Sequence, residues 1–174
     1  MRFVELSLPG AFRVELEPIE DDRGSFARTF CAEEFAAKGL FDRIAQCNVS
    51  HNRKRGTLRG LHYQREPHAE AKLVSVTQGA IFDVLVDLRP ESKTHHQWIS
   101  VELASDRAEA LYVPAGLAHG FLTLSDDAVV FYQMSTPYQP DAAAGLRWDD
   151  PALDITWPFA PEVISDRDRE HLLL

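Results

Sequence analysis

Hydrophobic and polar positions alternate with a period of two through most of residues 56–138. In the segment AIFDVLVDLR, the apolar side chains from Phe82 to Leu88 fall on one face of the predicted strand, opposite Asp83 and Asp87. Similar segments bounded by Gly, Pro, Asp and Ser recur about every ten residues, among them QWISVELA, EALYVPAG and AVVFYQMS. Because short alternating strands at this spacing are typical of antiparallel sandwiches and jelly rolls, we predict an all-β fold.

Outside this region the sequence predicts little regular structure. The segment AEEFAAKGLF, residues 32–41, is rich in helix formers and has Gly39 near its end, which predicts one short helix. Residues 140–174 are rich in Asp and Pro, and we expect them to wrap around the strands in turns. Since no internal repeat, low-complexity tract or linker divides the chain, we expect residues 1–174 to form one domain.

Composition narrows the class of protein. The 174 residues are 45% hydrophobic and 26% charged, which is ordinary for a soluble globular protein. The first residues do not resemble a signal peptide, and no apolar run reaches the ~20 residues of a transmembrane helix. Cys31 and Cys47 show no paired spacing. We therefore expect a cytoplasmic protein without disulfide bonds.

The net charge of −9 argues against a nucleic acid or a membrane surface as the partner, but the charge is unevenly distributed. Residues 51–72 carry six basic and two acidic side chains, a local charge of +4, which leaves −13 for the rest of the chain. A basic patch on an acidic protein fits a small anionic ligand. Arg53–Arg55 fit a solvated loop equally well, whereas Arg59 and Lys72 lie in apolar, strand-like surroundings and fit it less well.

Two short segments contain the candidate chemistry. In TLRGLHYQ, residues 57–64, Arg59 and His62 are three residues apart and would point to opposite faces of a regular strand. Gly60 between them permits a bulge, which would let both side chains serve one site. In PAGLAHGF, a Pro-x-Gly turn leads to His119 on the following strand.

The second of these segments resembles the second conserved box of the cupin superfamily, a group of small jelly-roll barrels with a ligand site in the mouth. Metal-binding cupins carry a His-x-His pair in the first box, whereas here His62 is followed two residues later by Gln64. His68 and Glu70 are the nearest other candidate ligands, and zinc or iron needs three or four donors at suitable spacing. We therefore predict no metal and no cofactor.

Six segments in register resemble the dTDP-4-dehydrorhamnose 3,5-epimerase family over residues 22–168: LRGLHYQ, KLVSVTQG, DVLVDLRPES, VPAGLAHGF, RWDDPAL and ITWP. The resemblance implies a metal-free, cupin-type jelly-roll barrel with short peripheral helices. It also implies a homodimer in which the N-terminal segment crosses to the partner. The implied reaction inverts C3, C5 or both in a nucleotide-linked 4-keto-6-deoxyhexose, by removing a proton from one face of the sugar and returning one to the other.

The resemblance assigns roles to three catalytic residues. His62 is the implied base, because an imidazole titrates near neutral pH. The family has an orienting carboxylate in a Ser-x-x-Asp segment, which here is SDRD and gives Asp168, with Asp166 as the alternative. Tyr132, in VFYQMS, is the implied proton donor to the opposite face. Considered singly, these residues also fit structural roles, as a core histidine, a surface ion pair and a barrel-lining tyrosine.

Eight further positions match residues that bind substrate in the family. Lys72 and His119 would lie near the developing enolate oxygen, where a cation stabilises negative charge. Arg59 would hold the pyrophosphate, and Arg23, in DRGSF, would complete the same subsite in the neighbouring subunit. The remaining matches lie near the nucleotide or the sugar: Gln46, Asn48, Tyr138 and Arg167.

The sequence departs from the family pattern on the nucleotide side. Arg28 stands where the family commonly has Glu, Cys47 stands where it usually has Asp, and the loop VSHNRKRG is longer and more basic. The nucleoside of the substrate therefore stays open among thymidine, guanosine and cytidine. Other functions also stay open: a relative that acts at one carbon or moves the ketone to C3, a non-catalytic sugar-nucleotide-binding cupin, and a metal-dependent cupin oxygenase. A base, its orienting carboxylate and a phenol together favour the epimerase.

Overall fold

The computed structural model describes residues 1–174, and β-strands dominate it. Thirteen strands and two short helices follow one another along the chain. Their bounds are β1 (Arg2–Glu5), β2 (Phe12–Glu15), β3 (Ile19–Asp21), β4 (Gly24–Phe26), α1 (Ala32–Ala36), β5 (Gln46–Asn52), β6 (Leu58–Gln64), β7 (Lys72–Gln78), β8 (Ala80–Asp87), β9 (Trp98–Ala104), β10 (Glu109–Val113), β11 (Leu117–Thr123), β12 (Ala128–Met134), β13 (Ala143–Gly145) and α2 (Asp166–Arg169).

The strands form two antiparallel sheets that pack face to face as a cupin-like jelly roll. Six strands make one sheet in the order β1-β2-β10-β7-β12-β5, and five make the other in the order β13-β6-β11-β8-β9. The largest buried cluster takes Val74 and Leu111 from the six-stranded sheet and Leu85 and Phe121 from the five-stranded sheet, so the main core lies between them. The predicted all-β, jelly-roll fold is confirmed.

Strand β8 shows how the sheets define an interior. Its face with Phe82, Val84 and Val86 packs under the C-terminal segment, while Ile81 and Leu85 on the opposite face enter the main core. Asp83, on the predicted polar face, is 1% exposed and points into the barrel toward His119 rather than to solvent. Asp87 on the same face is buried against Arg89, Ser92 and Thr94. Both faces of this strand are buried.

The segments outside the alternating region follow the predictions in part. The helix expected over residues 32–41 is present only as α1, because the chain turns after Ala36 and packs Phe41 against Phe30 and Tyr112. Residues 140–174 consist mainly of turns, as predicted, with β13 and α2 as additional short elements. Both cysteines are free. Neither helix has the length and apolar character to cross a bilayer.

The predicted bulge at Gly60 is present. The register of β6 against β11 shifts between His119 and Phe121, opposite this glycine. Gly60 has a φ of +130°, and a Cβ there would lie 2.5 Å from the Cα of Gly120. Only glycine fits both the backbone conformation and the close approach.

Candidate active site

A cavity of about 300 Å³ opens between the two sheets. The five-stranded sheet contributes Arg59 and His62 from β6 and His119 from β11. The six-stranded sheet contributes Lys72 from β7 and Tyr132 from β12. Other lining residues include Asn48, Ser50, Gln64, Glu70, Met134, Tyr138 and Arg167. Basic and hydrogen-bonding groups therefore converge on one concave site, as expected for a small anionic ligand.

His62 is held from behind by Asp168. Its Nε2 lies 2.7 Å from Asp168 Oδ1, and the amide of Gly60 donates to Asp168 Oδ2 at 3.3 Å. Burial alone would raise the pKa of Asp168, but the hydrogen bond and the charge of His62 outweigh it and lower that pKa. The ionised carboxylate accepts the proton on Nε2, which leaves Nδ1 as the nitrogen free to take a proton.

Helix α2 is what brings the carboxylate to this position. Ser165 caps the helix by accepting a hydrogen bond at 3.1 Å from the Asp168 amide. Within its single turn Asp168 points inward and is 4% exposed, whereas Asp166 is exposed. The partner of His62 is therefore Asp168 and not the alternative Asp166.

Tyr132 faces the cavity from the opposite sheet with its phenol neutral. Burial, together with the nearby charge of Asp83, raises the pKa of Tyr132 far above its usual range. Its ring meets that of His119 edge to face at 6.1 Å. His119 Nε2 in turn lies 2.7 Å from Asp83 Oδ1, with both side chains almost fully buried. A protonated phenol thus stands across the cavity from the His62–Asp168 pair.

Lys72 is fixed at the wall of the cavity by two contacts. Its Nζ lies 3.1 Å from Glu70 Oε1 and donates to the carbonyl of His62 at 3.2 Å. Both side chains of this ion pair are buried, with 7% and 5% exposure. A buried, immobilised ammonium group can stabilise negative charge that develops beside it.

Polar side chains surround the mouth of the cavity. Arg59 Nε donates to Asn52 Oδ1 at 2.7 Å, which fixes its guanidinium group on the cavity wall. Gln46 does not line the cavity but holds two groups that do, since it donates to Asn48 Oδ1 at 3.0 Å and accepts from the Tyr138 amide at 3.0 Å.

One further cluster can hold a metal ion. The ligand atoms of His62, Asp168 and His171 lie within 4.8 Å of one another. His171 Nε2 is buried without a hydrogen-bond partner, 3.6 Å from Asp168 Oδ1. Burial and the charge of His62 lower the pKa of His171. The ligands considered from the sequence lie elsewhere, because Glu70 pairs with Lys72 and His68 is outside the cavity lining.

Comparisons with known proteins agree with this geometry. The sequence profile of the dTDP-4-dehydrorhamnose 3,5-epimerase family matches residues 5–174. The chain belongs to this family. The dTDP-4-dehydrorhamnose 3,5-epimerase of Methanothermobacter thermautotrophicus is 44% identical over 97% of this chain and 91% of that protein.

A solved family member has nearly the same structure. The Bacillus anthracis dTDP-4-dehydrorhamnose 3,5-epimerase, crystallised with TDP and PPi bound, superposes with a TM-score of 0.96 at 39% identity and 99% coverage of both chains. The family also includes relatives with a different name. The dTDP-4-dehydrorhamnose 3-epimerase of Streptomyces niveus is 38% identical over 100% of this chain and 84% of that protein.

Most residues predicted from the family resemblance converge in this chain. His62 and Tyr132 line the cavity with Asp168 behind the imidazole, and the binding residues that line it are Asn48, Arg59, Lys72, His119, Tyr138 and Arg167. Arg23 does not: it lies between β3 and β4, its side chain is 89% exposed, and it contacts only Asp21. The predicted role of Arg23 is in the pyrophosphate subsite of a neighbouring subunit, and it stays a prediction.

The sequence analysis did not assign three residues to the site. Asp83 could have been recognised, because it is an ionisable residue inside an otherwise apolar strand pattern. Glu70 was considered only as a metal ligand, and nothing in the spacing predicted its pairing with Lys72. His171 lies in the C-terminal turns and has no local pattern that would associate it with His62.

Proposed function

We propose that this chain catalyses the 3,5-epimerisation of a dTDP-linked 4-keto-6-deoxyhexose, with His62 as the base and Tyr132 as the acid. The observation that carries the proposal is the arrangement of the two side chains on opposing sheets of one cavity, with Asp168 hydrogen-bonded behind the imidazole. A hexose bound between the sheets would present one face to His62 and the other to Tyr132.

The base acts on carbons beside the ketone. The protons on C3 and C5 are acidic because the C4 carbonyl delocalises the electron pair left behind as an enolate. His62 Nδ1 takes the proton, and the Asp168 carboxylate stabilises the imidazolium that forms. Lys72 stabilises the enolate oxygen, since its ammonium group is already fixed in the wall.

The acid completes the inversion from the other side. Tyr132 donates its phenolic proton to the opposite face of the same carbon, which restores the ketone with inverted configuration. The raised pKa of Tyr132 keeps the proton on the phenol until the enolate forms. His62 then loses its proton to solvent and Tyr132 regains one, so the protein returns to its initial state without a net change in protons.

The nucleotide is proposed to bind at the basic mouth. Arg59 and Arg167 line the cavity and can pair with the diphosphate through guanidinium forks. Asn48 and Tyr138 line the same cavity, tied together through Gln46, and are proposed to contact the nucleotide or the sugar. A thymidine nucleotide is favoured because the Bacillus anthracis relative was crystallised with TDP.

The test is deuterium wash-in from deuterated water into dTDP-4-keto-6-deoxyglucose, followed by NMR or mass spectrometry. The wild-type chain should incorporate deuterium at C3 and C5. Tyr132→Phe should still exchange protons at one face, because the base is intact, but completed inversion should fall about 100-fold. If the wild-type chain exchanges nothing with any 4-keto sugar nucleotide, the enzymatic function is wrong.

A single-carbon epimerase is the second candidate. It is favoured by the Streptomyces niveus 3-epimerase, whose 38% identity is close to that of several 3,5-epimerases. The same wash-in assay separates the two candidates, since a 3-epimerase labels C3 alone. Because both would use His62 and Tyr132, the site chemistry is common to them.

We also propose that the chain acts as a homodimer with exchanged N-terminal segments. Strands β3 and β4 form a two-stranded hairpin outside both sheets. The hairpin exposes Ile19 at 71% and Phe26 at 74%, which is unfavourable unless another surface covers them. Arg23 at its tip would then reach the pyrophosphate subsite of the partner.

Complementation between two inactive variants tests the exchange. Mixed dimers of His62→Ala and Arg23→Ala would contain one intact site, with His62 from one chain and Arg23 from the other. Random mixing should therefore restore about a quarter of the wild-type activity per chain, as expected for a two-fold dimer. If Arg23 acts in its own chain, or the protein is monomeric, mixing restores nothing.

A further inference from the structure

The C-terminal segment brings a second imidazole to the back of the His62–Asp168 pair. His171 lies three residues after Asp168 and approaches the same carboxylate oxygen, Oδ1, that contacts His62. The segment is held in place by the Arg147 amide, which donates to the Leu172 carbonyl at 3.2 Å. His171 is therefore fixed beside the pair by backbone contacts and does not depend on a side-chain bond.

The contacts of His171 leave one ring atom unexplained. Its side chain is only 13% exposed, and Nε2 has no hydrogen-bond partner. At 3.6 Å from Asp168 Oδ1, this nitrogen is too far for a hydrogen bond. A buried polar atom without a hydrogen bond requires a partner, and an ion shared with the carboxylate would supply one.

We propose that His62, Asp168 and His171 form a binding site for a divalent ion of the zinc class, and that the bound ion switches the base off. Two imidazoles and a carboxylate are a common ligand set for zinc, with a fourth position left for water. No step of the proposed epimerisation uses a metal, and the ion would occupy the base itself, so its effect would be inhibitory. The effect on activity rests on the proposed function, whereas binding of the ion does not.

The distances support a tetrahedral ion. With ligand bonds of about 2.0–2.1 Å, two tetrahedral ligand atoms lie about 3.3 Å apart. Two of the three separations are close to this value, since Asp168 Oδ1 lies 2.7 Å from His62 and 3.6 Å from His171, and all three ligand atoms lie within 4.8 Å of one another. Binding would open the first contact by about 0.6 Å and close the second by about 0.3 Å to reach this geometry.

The chemistry explains why the ion would inhibit. Metal coordination uses the lone pair of His62 Nε2, so the single ring proton, now shared with Asp168, moves to Nδ1 by exchange with solvent. Nδ1 of the metal-bound imidazole then carries a hydrogen and has no lone pair with which to accept the substrate proton. Asp168, now a metal ligand, can no longer stabilise an imidazolium. Both halves of the base are lost together.

The first measurement is binding itself. After treatment with EDTA, the full-length wild-type chain should bind one Zn²⁺ per chain in equilibrium dialysis. Co²⁺ in its place should produce the visible absorption of a tetrahedral site with nitrogen and oxygen ligands. Zn²⁺ at saturation should lower deuterium wash-in at least tenfold, and EDTA should restore it. Absence of Zn²⁺ and Co²⁺ binding would overturn the proposal.

Two variants assign the site to His171. His171→Asn should raise the Zn²⁺ concentration for half-inhibition at least about tenfold, since one of three protein ligands is removed. Gly145→Ala keeps all three ligands but should weaken binding as well, because a Cβ on Gly145 would lie 2.3 Å from His171 Nε2. Inhibition is compared with the zinc-free activity of each variant, so a change in basal rate does not affect the result.

The matched control is His96→Asn. His95 and His96 are exposed and stacked at 3.7 Å, so they are the other pair of histidines that can bind Zn²⁺. His96 has a φ of +63°, which Asn tolerates. This variant should keep the wild-type sensitivity to Zn²⁺ inhibition.

Equal sensitivity of His171→Asn and wild type to Zn²⁺ would overturn the proposal. If the protein turns over no sugar nucleotide, dialysis and the Co²⁺ spectrum still test the site.

Discussion

The site contains two histidine–aspartate pairs, His62 with Asp168 and His119 with Asp83, each with an N···O distance of 2.7 Å. The first pair forms a hydrogen bond, whereas the second is a close contact without one. The two histidines are directly opposite each other on β6 and β11. The side chain of His62 is 42% exposed, whereas that of His119 is 4% exposed and its Asp is completely buried.

The difference indicates which pair can act as a base. A base must release its proton after each turnover, and His62 can do so because the cavity opens beside it. His119 is 4% exposed and is less accessible to solvent, while burial and the charge of its partner Asp83 both raise the pKa of Tyr132. We therefore infer that the first pair moves protons and that the second adjusts the acid that faces it.

Exchange of each histidine for asparagine is the strongest test of this comparison. His62→Asn should lower deuterium wash-in about 1,000-fold, the usual contribution of a general base. His119→Asn should lower it only about tenfold, because this residue packs against Tyr132 and transfers no proton itself. Both are measured with the same substrate, after circular dichroism has shown that each variant folds. Equal losses for the two variants would contradict the assignment of His62 as the only base.

Removal of the carboxylate should have the next largest effect. Asp168→Asn keeps the size of the side chain but cannot stabilise an imidazolium, so kcat should fall about 100-fold or more. Asp166→Asn, in the same turn of α2 but exposed, is the matched control and should retain wild-type kcat. A similar loss in the control would indicate that the variants disturb α2 itself and not the base.

Some features of the fold could be predicted from the sequence and others could not. The strands from β6 to β12 were predictable because they alternate strongly, and the Gly60 bulge was predictable because Arg59 and His62 have the wrong spacing for one face. The end of α1 was not, since it depends on Phe41 packing against Tyr112, which is 71 residues away.

The partners of the two histidines were predictable to different degrees. Asp168 was assigned through the family's Ser-x-x-Asp segment, and nothing local indicates that α2 packs under β6. Asp83 stood out in the pattern of β8, but its contact with His119 comes from the pairing of β8 with β11. Alternation identifies a face, and only the fold determines whether that face is solvent or interior.

The role of the buried pair is sharpened by Asp83→Asn. Removal of this charge should lower the pKa of Tyr132, because a nearby anion disfavours the phenolate. The pH profile of completed inversion is compared between Asp83→Asn and the wild type, and its alkaline limb should begin at lower pH in the variant. The loss of activity at neutral pH should stay below about tenfold. Identical alkaline limbs would show that burial alone sets the pKa.

The smallest expected effect is the pH dependence of stability in the open pair. The pKa of Asp168 is lowered in the folded chain, so this residue stabilises the fold above its unfolded pKa of about 3.9, and the contribution is lost as pH falls through the folded value. At pH 6 the wild type should exceed Asp168→Asn in free energy of unfolding by about 1–2 kcal/mol, as for a hydrogen bond to a charged group. The gap should shrink below pH 4.

Urea unfolding at several pH values measures this difference in free energy of unfolding, with Asp166→Asn as the reference. A gap that stays constant with pH would mean that Asp168 stabilises the fold through packing, and its carboxylate would then not be held ionised by His62.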